Sequence, residues 1–386
     1  MEDLTFPYEV KSVDDELAKE LMEHYTGEKT GFVRVGPKGY FFPQKYREQA
    51  SDLYNLTIRN DDIFVVTYPR SGTTWTQELV WLVQNNLDFE TSKNIPLSSR
   101  FPFLEYSILI HPEMLRTMQE QNRDSPENQE IIDALNFPSA ARFSSTPSPR
   151  FIKTHLPLSL LPPSLLDKVC VKLINWINYL VGKVIYVARD PRDAAVSHYH
   201  LCKLFTICGV PDDFKTFWNY FLRGLHGYSP ILEHTKEAWA QRGHPNLLFL
   251  FYEELSEDLP SAVRKVAKFL RKTLTEDQVK SLCEHLNFNN FKKNASFDDG
   301  ALVKLNFVKK GEAPFIRRGK VGGWRQYFDD EMMDQADRWI TDNLFNTDLR
   351  YPSWDLPNVP SLNIQKLDET PARIDYYTPS DIVNTK

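Results

Sequence analysis

The chain of 386 residues lacks an excess of positive charge, a long apolar run and a cysteine framework, and each absence removes a class of protein. A general binder of nucleic acid carries a strong positive excess. Here the formal net charge is -6, so any anion site must be local and a nucleic-acid partner is not expected. No stretch approaches the roughly 20 apolar residues of a membrane span. The opening "MEDLTFPYEVKSVDDELAKE" is acidic and has no apolar core, so we expect no secretory leader and a cytoplasmic address. The four cysteines, Cys170, Cys202, Cys208 and Cys283, show neither metal-ligand spacing nor disulfide density. Reduced, mostly buried thiols and no metal are expected, and the sequons at Asn55 and Asn294 then carry no weight. Internal repeats are absent. What remains is 41% hydrophobic and 13% aromatic, ample for one large core or two smaller ones.

Short β-branched runs alternate with helical patterns, as parallel strands joined by crossover helices do. The strand candidates are "IFVV" (63–66), "FIK" (151–153), "VIYVA" (184–188) and "LLFLF" (247–251). Trp75, Leu79, Leu82 and Val83 recur at helical spacing, so "DDIFVVTYPRSGTTWTQELVWLV" reads as strand, loop and helix. Asp190 and Pro191 read as cap and first residue of another helix, and Val263, Val266, Ala267 and Leu270 as the apolar stripe of a third. Beyond about Tyr351 the chain is Pro-rich and irregular, an extended appendage.

A loop between a buried strand and a helix N-terminus presents free N–H groups and the positive end of the helix dipole, which is a phosphate site. Gly72 permits close approach, Ser71, Thr73 and Thr74 add hydroxyls, and Arg70 adds a planar, permanently charged fork. The Walker pattern is missing, because no Gly precedes Gly72 at the right distance and no Lys follows it. "RFIKTHLP" sets Lys153 and His155 two residues apart, on one face if the strand stays extended. "VIYVARDPRDAAVSHYH" carries Arg189 at a strand end and Ser197 in the following helix, and "PFIRRGKVGGWR" forms a basic, Gly-bearing loop. Each piece alone has a bland reading: an N-cap cluster, a hydrogen-bonded structural histidine, a solvated surface loop.

Together, "YPRSGTTW", "KTHLP", "RDPRDAAVSHYH", "FYEEL" and "RRGKVGGW", in this order, resemble the cytosolic sulfotransferases over residues 45–345. The resemblance implies a single α/β domain with a central parallel sheet flanked by helices. It also implies transfer of a sulfuryl group from 3′-phosphoadenosine 5′-phosphosulfate (PAPS) to a hydroxyl or amine, leaving PAP, without a metal. Carried over by motif, Arg70, Ser71, Gly72, Thr73 and Thr74 would hold the 5′-phosphosulfate, with Trp75 against the adenine. Arg189, Ser197, Arg317, Arg318 and Gly319 would hold the 3′-phosphate, and Tyr252 and Phe288 would line the nucleotide site. His155 would be the general base, with the cation of Lys153 beside it and Arg70 also in the catalytic set. Residues 1–44 and 346–386 are read as extensions.

Several positions depart from the family pattern. Arg70 stands where Lys is usual, although the related Golgi tyrosylprotein enzymes also use Arg. Leu286 replaces a Thr that often contacts the nucleotide, and Gly323 and Arg325 replace Asp and Lys. The usual dimer pattern is absent, so monomer and homodimer both stay open. The segment from Tyr106 to Pro149 is longer than in vertebrate members and resembles that of insect sulfotransferases and the related insect retinol dehydratase. Pro112, Met114, Leu115 and Met118, then Ser125, Pro126, Ile131, Ile132 and Leu135, predict two short apolar-faced helices. They are expected to act as a lid over an acceptor pocket that includes Phe101, Phe103 and Tyr199. The implied substrate is a small hydrophobic alcohol or phenol, with elimination of the sulfonated product, or non-catalytic binding of a lipophile, as the alternatives.

Overall fold

A strand buried on both faces reads as an unbroken apolar run, and "IFVVT" is one of the two interior strands of the main sheet, buried along its whole length. The computed structural model describes residues 4–136, 139–166, 182–206, 208–294, 304–305, 307–309 and 311–354. Cys170 and the Pro-rich tail past Trp354 lie outside the described residues. A small antiparallel sheet, β1 (Val10–Ser12), β2 (Phe32–Val35) and β3 (Tyr40–Pro43), precedes the main one. The main sheet contains β4 (Ile63–Thr67), β5 (Phe151–Thr154), β6 (Lys183–Ala188) and β7 (Leu247–Phe251), in the order β5-β4-β6-β7, all parallel. The four expected strands and the α/β class are thus observed. The antiparallel sheet has no counterpart in the sequence reading, because strands of three or four residues are too short to establish a period.

Alternation along the strands divides the core in two. Phe64, Val66, Ile152, Val184 and Tyr186 face one side, with the helices Pro191–Leu204, Phe214–Leu222, Ile231–Ala240 and Asp330–Leu344. Ile63, Val65, Phe151, Ile185 and Val187 face the other, with Thr73–Gln84, Leu259–Phe269 and Glu276–Leu286. Val33, Val35, Tyr40 and Phe42 of the antiparallel sheet join the first core. The two expected helices of the long segment are present as Pro112–Gln121 and Pro126–Asn136. They bury Leu115, Met118 and Ile132 in a separate small core with Ile110, Leu305 and Phe307. No helix among the described residues is long and apolar enough to cross a membrane.

One buried ion pair fixes the N-terminal edge of the sheet. Asp62 and Arg150 immediately precede β4 and β5, and both are buried, at 0% and 1% exposure. Arg150 meets both Asp62 carboxylate oxygens and also donates to the carbonyls of Phe143 (2.8 Å) and Thr57 (2.7 Å). Such a pair stabilises little against an apolar replacement of both partners, but losing one partner strands a buried charge. Arg150→Met should therefore cost about 3–5 kcal/mol in urea unfolding. Pairing it with Asp62→Asn should recover part of the loss. A single variant within the error of the wild-type midpoint would contradict this account.

Candidate active site

With the N-terminal edge pinned, the C-terminal ends of the parallel strands carry the loops that build the site. β4 ends at Thr67, and the helix Thr73–Gln84 starts from Gly72, whose φ of +97° only glycine adopts at low cost. A Cβ at Gly72 would stand 2.6 Å from Cδ2 of Tyr252, so the loop backbone lies directly on that ring. The first-turn N–H groups of Thr73 and Thr74 have no partner within the helix. Ser71 is fully buried and its Oγ is without a partner.

Arg70 also has a positive φ, 69°. Its Nε donates to Ser197 Oγ at 3.0 Å, its guanidinium donates to the Phe315 carbonyl at 2.7 Å, and it stacks 4.7 Å from the Phe315 ring centroid. The side chain thus reaches from the phosphate loop to the basic loop. Burial, then the neighbouring Arg189 and Arg317, push its pKa down to about 10. Arg189 donates to the carbonyls of Arg70 (3.0 Å) and Lys320 (3.3 Å) and lies 4.3 Å over the Tyr252 ring. Its Nε is buried and unpaired. Three guanidinium groups forced together against their mutual repulsion form a site that an anion relieves.

The basic loop is held from beneath by Asp193, which accepts from the N–H groups of Gly322 (2.7 Å) and Trp324 (2.9 Å). Gly319, at φ +62°, leaves no room for a Cβ, which would meet Phe288 at 2.3 Å. Arg317 donates to the Tyr327 hydroxyl and Arg318 to Gln326. At the far side, the Trp75 indole donates to the Leu286 carbonyl at 2.9 Å and meets Tyr252 edge-on, 5.9 Å between centroids. Leu286, without the hydroxyl of a Thr, thus still fixes the indole through its backbone.

These side chains line one cavity of about 670 Å³. Arg70, Gly72, Thr73, Thr74, Trp75, Arg189, Ser197, Tyr252, Phe288, Arg317, Arg318 and Gly319 are on its wall; Ser71, fully buried between Arg70 and Gly72, is not. Lys153, His155 and Phe103 close the other end. The unpaired Ser71 Oγ and Arg189 Nε, and the glycines pressed onto aromatic rings, fit a nucleotide with an anionic group at either end. Phe101 and Tyr199 are not part of the wall. The Phe101 ring packs on Phe151 in the core (5.4 Å between centroids), and the Tyr199 hydroxyl donates to the Asp212 carbonyl at 2.7 Å. From the long segment, Tyr106 and Leu109 reach the cavity, whereas Met114, Ile131 and Leu135 pack in the small core of the two helices.

Phe103 meets both polar side chains at this end. Lys153 Nζ lies 4.2 Å from its ring centroid and the His155 ring 5.1 Å, edge-on. His155 Nδ1 is 2.8 Å from the Thr67 carbonyl. A carbonyl only accepts, so Nδ1 carries the proton and Nε2 keeps its lone pair. Burial, then the Lys153 charge, hold the His155 pKa well below 6.5, so the ring is neutral at pH 7. Its backbone is clamped as well: His234 Nε2 donates to its carbonyl at 2.9 Å, and its N–H donates to Glu105 at 2.7 Å. Glu105 also accepts from the Thr154 hydroxyl at 2.7 Å, and burial pushes its pKa up to about 7. Sequence reasoning missed Glu105 and Thr67. A lone carboxylate inside the apolar run "FPFLEYSILI" was the available signal for the first, and nothing marked the second.

A neutral imidazole beside a fixed ammonium at one end of a cavity, and a cluster of guanidinium groups at the other, define a group-transfer enzyme that holds an anionic donor. The chain belongs to the sulfotransferase family: the sulfotransferase domain matches residues 60–348. The luciferin sulfotransferase of Photinus pyralis is 32% identical over 311 residues, 80% of this chain and 78% of that protein. A crystal structure of retinol dehydratase with androsterone and the inactive cofactor PAP has a TM-score of 0.82 at 41% identity, covering 91% of this chain and all of that one. A second, with retinol and PAP, has a TM-score of 0.81 at 42% identity, covering 90% and 100%. Membership makes the chain an enzyme of sulfuryl transfer with PAPS as donor and PAP as product.

The buried imidazoles set an acid limit on stability. Burial holds His155 and His198 well below 6.5 and brings His226 and His234 to about 4. The unfolded chain takes up these protons first, so the contribution is full above about pH 6.5 and falls as pH drops toward 4. The slope is up to about 1.4 kcal/mol per pH unit for each histidine. Glu105 and Glu253, which burial raises to about 7, act in the opposite sense below pH 7. Urea midpoints measured from pH 7.5 to 5 should therefore fall by less than the histidines alone would give; constant or rising midpoints would show that these rings do not resist protonation in the native state.

Proposed function

We propose that the chain sulfonates the hydroxyl of a small hydrophobic alcohol or phenol, with His155 as general base. The observation that carries this is the Nδ1–Thr67 hydrogen bond, which leaves a neutral His155 with its Nε2 lone pair in a cavity walled by Phe103, Tyr106, Leu109 and Tyr228. The phosphate loop, Arg189, Ser197 and the basic loop would hold PAPS, with Trp75, Tyr252 and Phe288 at its base. When bound, PAPS supplies the sulfuryl group. His155 accepts the acceptor's hydroxyl proton at Nε2, and the bond to Thr67 supports the imidazolium that results. Lys153 places a fixed positive charge where negative charge develops. The segment 106–149 caps the acceptor end through Tyr106 and Leu109, keeping water from the reacting group.

Likeness to retinol dehydratase in complex with retinol supports a second outcome, elimination of the sulfonated alcohol. Hydroxylated lipophiles incubated with PAPS and read by mass separate the two, as a stable sulfonate or as loss of water. His155→Ala should lower turnover by about two to four orders of magnitude while calorimetry shows PAP affinity retained. Turnover near the wild-type rate at neutral pH would remove His155 from the mechanism.

A further inference from the structure

The cavity continues beyond His155. Leu225, His226, Gly227 and Tyr228 all lie on its wall. The Tyr228 ring is 5.5 Å from His155, and two residues earlier His226 meets His198, 5.7 Å between centroids. His198 is carried by the helix Pro191–Leu204, one residue past Ser197, and is 8% exposed. Its Nδ1 is buried without a partner. Burial, His226 and Arg70 keep the ring neutral, so it has one N–H and one lone pair. An orphaned buried donor is rarer than an orphaned acceptor. The lone pair therefore sits on the sealed Nδ1 and the proton on Nε2, the nitrogen left to meet the cavity.

His226 is committed where His198 is not. Its Nε2–H donates to the Phe217 carbonyl at 3.0 Å, so its Nδ1 accepts from the Tyr25 hydroxyl at 2.7 Å. Tyr25, also on the wall, has spent its proton and keeps its oxygen lone pairs. Around these groups the wall is mainly apolar, with Phe32, Phe41 and Leu225; Glu28, also on it, has its Oε1 taken up by the Lys29 and Thr30 N–H groups and the Thr30 hydroxyl. One donor and one acceptor in an apolar chamber recognise a polar group on an otherwise hydrophobic molecule.

We propose that His198 and Tyr25 form a polar subsite for a second functional group of the acceptor. The substrate class is then a lipophile with a carbonyl or hydroxyl at the end remote from the hydroxyl that reacts. This rests on the acceptor reading above. A carbonyl takes the His198 N–H; a wholly hydrocarbon end leaves that N–H desolvated and unpaired.

The test uses the full chain saturated with PAP and two steroid alcohols that differ only in a ketone or a methylene on the ring farthest from the hydroxyl. Calorimetry should give about fivefold tighter binding of the ketone, the worth of one net hydrogen bond. His198→Leu should erase the preference, and His198→Gln, which keeps an N–H, should retain it. If the Leu variant does not fold, the contrast in the wild-type protein decides alone. Equal affinity for the two steroids, a preference unchanged in His198→Leu, or binding of neither overturns the subsite. Sulfonation is read separately by mass: an intact preference with no sulfonated product sinks the proposed function and leaves the subsite standing.

Discussion

The hydrogen bond from His155 Nδ1 to the Thr67 carbonyl joins the two halves of the site. Thr67 is the last residue of β4 and leads into the phosphate loop; His155 directly follows β5. Because β4 and β5 are adjacent and parallel, with Val66 opposite Thr154, His155 and the loop after β4 emerge side by side. The same bond selects the tautomer. Thr67 Oγ1 extends the connection to Thr73 Oγ1 at 2.7 Å, at the start of the phosphate-loop helix. A shift of either strand would move the donor loop and the proposed base relative to one another, and geometry of that kind dominates the rate of group transfer.

Charge is arranged against the average of the chain. A net charge of -6 coexists with a cavity end where burial and the Arg189 charge lower the pKa values of Arg70 and Arg317. Repulsion among them is tolerated because each guanidinium is engaged by backbone or hydroxyl oxygen, at Phe315, Ser197, Lys320 or Tyr327. The cost of holding them together is repaid when an anion binds, which is how a fold can favour its donor over other solutes. Arg70 belongs to both ends of this arrangement, since its backbone lies in the phosphate loop and its side chain lies against the basic loop.

The other end of the cavity follows a different logic. The two helices of the long segment bury their own apolar faces with Leu305 and Phe307, and Phe307 is tied to the end of the Ser197-bearing helix through Thr206 N–H to the Phe307 carbonyl, 2.9 Å. The helices are therefore braced against the rest of the fold, and Tyr106 and Leu109 are the part of the segment that reaches the cavity. Phe32, Phe41 and Leu225 line that part of the cavity, and His198 and the Tyr25–His226 pair are the polar groups of the proposed subsite.

Much of this was legible in the residues themselves. The four parallel strands, the strand–loop–helix at Gly72 and the pair of helices after Pro112 follow from local period and capping, which any stretch carries by itself. The ordered motifs placed Arg189, Ser197, Arg317 and Gly319 in one site, and the fold brings them to one cavity. Local pattern cannot say which distant segments meet. Phe101 and Phe103 are two residues apart, yet one packs on Phe151 and the other stands between Lys153 and His155. Tyr199 is turned to Asp212, and Arg70 to Phe315. Glu105 became a partner of the His155 backbone only because its segment runs alongside β5, as the Leu104 N–H to Lys153 carbonyl bond records. The strand order β5-β4-β6-β7 and the packing of the loops upon it are cooperative, long-range outcomes. They decided the direction of each side chain, the tautomer of His155 and the placing of His198 and Tyr25 on one cavity wall.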